Sequence, residues 1–263
     1  MGFFTVEILA TGGVSLAALL LIALERTIPY DAHQILFRKG FWNDLGMYTI
    51  VQSFLLSQII FGFAFWLDRI TGSSSMGLLS GWPIWGQLLF SLILHDLYIY
   101  WFHRWQHYNR YLWRTHEAHH STKDVDWLSG SRSHSLEILI NQTIEFTPLI
   151  LLGCSPETIA LKGMLDAIWG MYIHSNIDVR SGVLQYLVNG PEMHRWHHAV
   201  DEEAHNRNFG TKFAAWDWIF GTAFFPTGRK PSGYGLGSEE FPENYFRQHT
   251  HAFRKFEEHS REK

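Results

Sequence analysis

Three long apolar stretches in the first half of the chain leave its fold few choices. Phe3 to Leu24 is interrupted only by Glu7 and a few small residues, and Leu45 to Leu67 is rich in Phe, Leu and Ile. A third stretch begins after Trp82-Pro83, with Pro83 suited to a first helical turn, and continues through Leu88, Leu89, Leu92, Ile93 and Leu94. As helices, such stretches reach across a hydrocarbon core of about 30 Å. The first lacks a basic n-region and an Ala-x-Ala-like cleavage site, so it reads as a retained helix rather than a signal peptide. A further apolar stretch, Leu136 to Ile173, is broken by Gly153-Cys154-Ser155-Pro156 into two helices. They form a hairpin that starts and ends on one side. The expected fold is all-α: a polytopic membrane helical bundle of about three spans plus a re-entrant hairpin. The chain divides into N-terminal transmembrane helices (1–82), a histidine-bearing segment (83–226) and a polar C-terminal tail (227–263).

Composition narrows the partners. Only 17% of residues are charged, against about 25% in ordinary soluble domains, so the chain has little with which to wet its surface. The net charge of -4, with Lys and Arg scattered rather than gathered in a stripe, argues against nucleic acid. One cysteine, Cys154, excludes intramolecular disulfides, cysteine-based iron–sulfur clusters and a Cys-x-x-Cys-His haem attachment. The loop between the first two spans carries Arg26, Arg38 and Lys39, and the positive-inside rule makes it cytoplasmic. Counting spans from there puts His103 and the residues just after it on the cytoplasmic side, and the hairpin returns the later histidines to that face.

Eight of the sixteen histidines fall into three tight groups: His103/His107, His116/His119/His120 and His194/His197/His198. At about 100° of turn per residue, positions i, i+3 and i+4 share one helical face, so each group can aim its imidazoles at one point. Neutral imidazole ligates iron, copper, nickel and zinc, and one ion rarely takes more than about six donors. Eight clustered histidines therefore read as a two-metal site at a membrane surface. His116-Glu117-Ala118-His119-His120 also satisfies His-Glu-x-x-His, the zinc metallopeptidase signature in which Glu activates water, but that reading leaves the other two groups unexplained. A soluble-type diiron bundle would want Glu-x-x-His units on long helices; Glu117/His120 and Glu202/His205 have the spacing, but Gly and Asn around the second argue against a long helix. A metal carrier or sensor would show a polar translocation path in its spans, and none is evident.

The run from Asp96 to His107 (DLYIYWFHRWQH), then His116-x-x-His119-His120 and His194-x-x-His197-His198, resembles the fatty acid hydroxylase superfamily, also called the sterol desaturase family. So do Asn208-Phe209-Gly210 and Trp216-Asp217-Trp218-Ile219-Phe220-Gly221-Thr222. The resemblance covers about Pro83 to Thr222, and three histidine boxes recur in order with the right companions. It implies an integral-membrane, non-haem diiron enzyme that uses O2 and two electrons to hydroxylate or desaturate a lipid, with the eight histidines as ligands. It also implies a ninth ligand, His174. Zinc can replace iron in overproduced material, since affinity for imidazole sites does not by itself exclude it. His134, where relatives often have Pro next and this chain has Ser135, is held as a support for a ligand or as a spare ligand.

Breaking an unactivated C–H bond lies beyond side-chain acids and bases, so the hard step belongs to the metal centre. Asp96, Glu117, Asp124 and Glu137 are candidates to hold the outer N–H of ligand imidazoles. Trp101, Trp105, Trp113, Trp127 and Trp169 fit an apolar substrate channel or an interfacial belt. His95 reads as a hydrogen-bonded helix contact, and His33, His205, His249, His251 and His259 as solvated or packing residues. No nucleotide-binding glycine fingerprint and no His-Pro-Gly-Gly haem module is present. Electrons must then come from a separate donor of cytochrome b5, ferredoxin or reductase type, or from a soluble reductant.

Overall fold

The computed structural model describes residues 3–237 and 240–255, and His259 lies outside them. Every regular element among the described residues is helical. The first apolar stretch forms α1 (Phe3–Thr27) and the second forms α2 (Phe41–Thr71), which is π-helical over Asp44–Gln52. Next come α3 (Ile84–Tyr108), α4 (Arg110–His120), the hairpin helices α5 (Ser135–Leu151) and α6 (Pro156–His174), and the short α7 (Pro191–His197), α8 (Ala215–Ile219) and α9 (Tyr245–His251). Two helices, Ile8–Thr27 and Phe41–Thr71, are long and apolar enough to cross a membrane. The expected third, α3, has 25 residues but buries Gln87, Ser91, His95 and Asp96 along its inner face, which lowers its apolarity.

The bundle is apolar outside and buries polar clusters within. Leu16 and Leu19 of α1, Phe54 and Ile59 of α2, Trp85, Leu89 and Ile93 of α3, and Ile140 and Ile144 of α5 are all exposed. In water such a surface would be far larger than soluble proteins tolerate; against lipid tails it costs nothing. Within, Lys162 of α6 donates hydrogen bonds to His95 Nδ1 of α3 (2.9 Å), to Asp166 (2.6 Å) and to Glu145 of α5. Low-dielectric surroundings permit these charges only because they are paired. His95 is thus the helix contact expected of it.

The hairpin tip is fixed by backbone contact. Cys154, fully buried, joins Leu56, Ile60, Ala64, Leu79 and Ile150 in one apolar core between α2 and the hairpin. Ser155 accepts from Thr158 N and opens α6, while Gln87 of α3 accepts from Ser155 N (2.9 Å) and Thr158 Oγ1 (2.9 Å). Gly153 turns with φ +101, and a Cβ there would lie 2.9 Å from Gly77 Cα. Leu79 N donates to Leu152 O alongside (2.7 Å). At the other end, the α1–α2 loop packs on the histidine-bearing segments. Arg38 reaches Asp126 (2.8 Å) and Asp44 (2.8 Å), and Tyr30 N donates to Asn176 O (2.9 Å). The basic loop and the histidine groups therefore share one face of the molecule.

The tail is bound more closely than its polar composition suggests. Tyr48, fully buried in the π-helical turn, donates to Gln248 Oε1 (2.6 Å), and His249 accepts from Ser135 N (3.1 Å). A π-turn aims one extra side chain off the ordinary register, which here provides the tail's anchor.

Gly153→Ala should cost about 2–4 kcal/mol, combining a left-handed non-glycine residue with overpacking against Gly77. Thiol labelling of Cys154 in detergent during thermal unfolding measures it: the wild-type thiol stays protected to a higher temperature than the variant's. Equal protection curves would show that the tip contact contributes nothing.

Candidate metal centre

Local sequence explains how each histidine group is presented. His103 and His107 lie one turn apart near the end of α3, and Asn109 closes that helix and caps α4 by accepting from Tyr111 N and Leu112 N. The corner turns His116, His119 and His120 back toward α3. His174 ends α6, and α7, opened by Pro191, brings His194 and His197, with His198 at its C-cap. All are buried apart from the partly exposed His107.

The nine rings sort into two nests. One ring nitrogen from each of His103, His107, His116, His120 and His197 lies within 4.8 Å of the others, and the same holds for His119, His174, His194 and His198. Both nests draw on several helices, and the His-x-x-His-His triplets are split between them. His119 leaves its neighbours for the second nest, and His197 leaves its neighbours for the first.

Oxygen acceptors fix the tautomers. His103 Nδ1 faces Phe209 O (2.9 Å), His119 Nδ1 faces Arg132 O (3.3 Å), His174 Nδ1 faces Gly170 O (2.7 Å) and His197 Nδ1 faces Arg207 O (2.8 Å). His116 Nδ1 faces the Glu137 carboxylate (3.1 Å). Each oxygen only accepts, so each Nδ1 carries the proton and each Nε2 presents a lone pair. Those lone pairs converge: Nε2 of His103 and of His116 are 3.1 Å apart, and His174 Nε2 is 3.2 Å from that of His119. His107, His120 and His197 have buried Nε2 atoms with no hydrogen-bond partner. Lone pairs crowded this way repel unless a cation lies among them, and the donor set fits imidazole-ligated metal. Burial holds His119, His120, His194 and His198 far below the ordinary imidazole range and takes His197 down to about 3. Neutral rings are the form a metal needs.

Residues 88–222, about half of the chain and including all nine histidines, match the fatty acid hydroxylase family. The chain belongs to that family. Its relatives include an ornithine lipid hydroxylase of Rhizobium tropici, 31% identical over 59% of this chain and 46% of that protein. The human alkylglycerol monooxygenase is 30% identical over 54% of the chain and 31% of its own length. A very-long-chain aldehyde decarbonylase of Oryza sativa is 28% identical over 56% and 58%. The chain thus spans less than half of the first two relatives. No solved structure matches it.

Around the two nests, the expected carboxylates divide. Glu137 does hold an imidazole, that of His116. Asp96 does not; its oxygens accept from Thr211 Oγ1 (2.5 Å), Lys212 N (2.8 Å), Phe213 N (2.8 Å) and Trp216 Nε1 (3.1 Å), because its side of α3 faces that loop. Glu117 is instead gripped by the two terminal nitrogens of Arg254 in the tail (2.7 and 3.0 Å). Its carboxylate is thus committed to an ion pair rather than to an imidazole N–H. Asp124 bonds Thr122 through its backbone carbonyl and N–H rather than an imidazole through its carboxylate. His134 caps α5 by accepting from Leu136 N and donates through Nε2 to His249 O, outside both nests. Glu202 and His205 lie at a single exposed turn.

Among the tryptophans, Trp101 and Trp105 are exposed on the outer side of α3 as a belt would be, and Trp127 is buried beside α1. Trp113 lies 5.0 Å from the His107 ring and 5.2 Å from His120, and Trp169 donates to Thr211 O. Sequence reasoning missed the backbone carbonyls that orient the rings, and it missed Gly130. A Cβ on Gly130 would lie 2.8 Å from His174 Nδ1, so only glycine allows that close approach.

Glu117→Gln should keep its metal and lose at most about tenfold in activity, since it breaks only the clasp between α4 and the tail. Metal analysis with turnover assays checks this. Full metal with no turnover would make Glu117 a general base and revive the metallopeptidase reading.

Proposed function

We propose that the protein hydroxylates or desaturates the apolar chain of a membrane lipid at a dinuclear non-haem iron centre. His103, His107, His116, His120 and His197 would hold one ion and His119, His174, His194 and His198 the other. The observation that carries this is the pair of nests with inward lone pairs, inside a family whose relatives are named for lipid hydroxylation. Bound iron would supply the O2 chemistry, in which one oxygen atom enters the C–H bond and the other leaves as water, consuming two electrons and two protons; desaturation consumes the same and yields two waters.

The chain's own residues supply orientation and dryness. Carbonyls of Phe209, Arg132, Gly170 and Arg207 and the Glu137 carboxylate hold Nδ1–H bonds and so keep five Nε2 atoms aimed inward. Phe209, fully buried, packs its ring 5.6 Å from His103 and 5.2 Å from His107, walling off water. The apolar outer face of α3 leads along Ile93 and Leu94 toward the nests, and it offers an alkyl chain a continuous lipid-like surface. The shared face of the nests and the basic α1–α2 loop supports, by the positive-inside rule, a site on the cytoplasmic side. A separate one-electron carrier or soluble reductant would serve there, and zinc would displace iron on overproduction.

Comparative lipid analysis of cells expressing the wild type and, separately, His197→Ala and His198→Ala tests this. The wild type alone should produce a lipid heavier by one oxygen or lighter by two hydrogens, because each variant removes a ligand from a different nest. Product in either variant equal to the wild type would remove the need for that nest.

A further inference from the structure

The segment 208–217 crosses over the first nest as a strap, and its path is fixed from both ends. At its start Asn208, held at φ 56, donates to Met193 O (2.9 Å) beside His194, in a backbone region that Asn tolerates. In its middle Asp96 gathers the Thr211–Phe213 backbone onto α3. Asp217 then reaches back along the strap. Its Oδ1 accepts from Phe209 N (2.7 Å) and from Thr222 Oγ1 (2.7 Å), and its Oδ2 accepts from Gly210 N (2.8 Å). Gly210 is the residue this geometry demands: a Cβ there would lie 2.9 Å from Asp217 Oδ2 and 2.6 Å from Phe213 O. The product of this arrangement is one carbonyl, Phe209 O, set 2.9 Å from His103 Nδ1. Asp96 and His103 are two turns apart on the same helix, so strap and helix close a rigid loop around that contact.

We infer that Asp217 is a positioning residue for the five-histidine nest: by holding Phe209 N and Gly210 N it orients the peptide whose carbonyl fixes the His103 ring. A fully buried carboxylate that accepts three hydrogen bonds is costly to maintain for loop structure alone, since the same N–H groups are satisfied in most loops by carbonyls or water. The effect is specific to one nest. The carbonyls that hold His119 and His174, Arg132 O and Gly170 O, belong to other segments, and Asp217 makes no hydrogen bond to either.

This inference rests on the two-nest reading, and titrating the detergent-purified full chain with cobalt(II), a visible-absorbing probe for imidazole sites, separates the two. Wild-type protein should take up two cobalt ions per chain. Asp217→Asn, which keeps shape but loses acceptor capacity, should bind one ion as the wild type does and the other about 10 to 100-fold more weakly, with an altered cobalt spectrum for that ion alone. Wild-type protein that binds fewer than two ions would instead sink the two-nest reading itself. Two unchanged affinities in Asp217→Asn, or equal weakening of both, would overturn the positioning role. Should that variant fail to fold, Thr222→Val removes one of the three donors and should show the same one-site weakening, smaller in size; unchanged binding there would also overturn it.

Discussion

Nine imidazoles crowded into two nests, five of them with Nε2 held inward, are the arrangement on which everything else here depends. Burial keeps His119, His120, His194, His197 and His198 neutral and Nδ1–H bonds keep five of the nine rings from rotating, so the chain has built its repulsion in advance. Such pre-organisation is expensive, and it explains why rigid elements surround the nests: α3 and α4 joined by a one-residue corner, α6 ending at His174, and the strap 208–217. Loose loops would let the rings turn outward to find partners, and the inward lone pairs would be lost.

The same need explains why polarity is concentrated where it is. A helical membrane protein must satisfy its interior polar groups without water. Here His95, Glu145, Lys162 and Asp166 pair with one another below the nests, and Arg38 pairs with Asp44 and Asp126 beside them. These charged contacts join α3, α5 and α6, and the α1–α2 loop to the histidine-bearing segment, where apolar contacts alone would be interchangeable with lipid. The tail adds a clasp from Arg254 to Glu117 that braces α4 from behind.

Much of this was legible in the chain because it is periodic. The apolar runs specify helices, the Gly153-Cys154-Ser155-Pro156 break specifies the hairpin, and three spaced histidine groups announce a cluster. The partition was not legible: i, i+3, i+4 spacing aims a triplet at one point, yet His119 and His120, adjacent and so about 100° apart around α4, face different nests. Partners remote in sequence were invisible for the same reason. Asp96 and Glu117 sit beside histidines in the chain but on faces turned toward Lys212 and Arg254, whereas Phe209, Arg132 and Gly170 serve through backbone carbonyls, which no residue type advertises. The polar tail concealed its anchor because Tyr48 lies in a π-turn that breaks the helical period.

The central claim is that two inequivalent ions are held by five and four imidazoles. Mössbauer spectroscopy of protein loaded anaerobically with isotopically enriched ferrous iron tests it most directly, because each iron environment gives its own quadrupole doublet. The account predicts two ferrous doublets of equal area, with isomer shifts of nitrogen-rich coordination, and loss of one doublet when His198 is replaced by Ala. A single doublet in the fully loaded wild type, or unequal areas unaffected by that replacement, would contradict it.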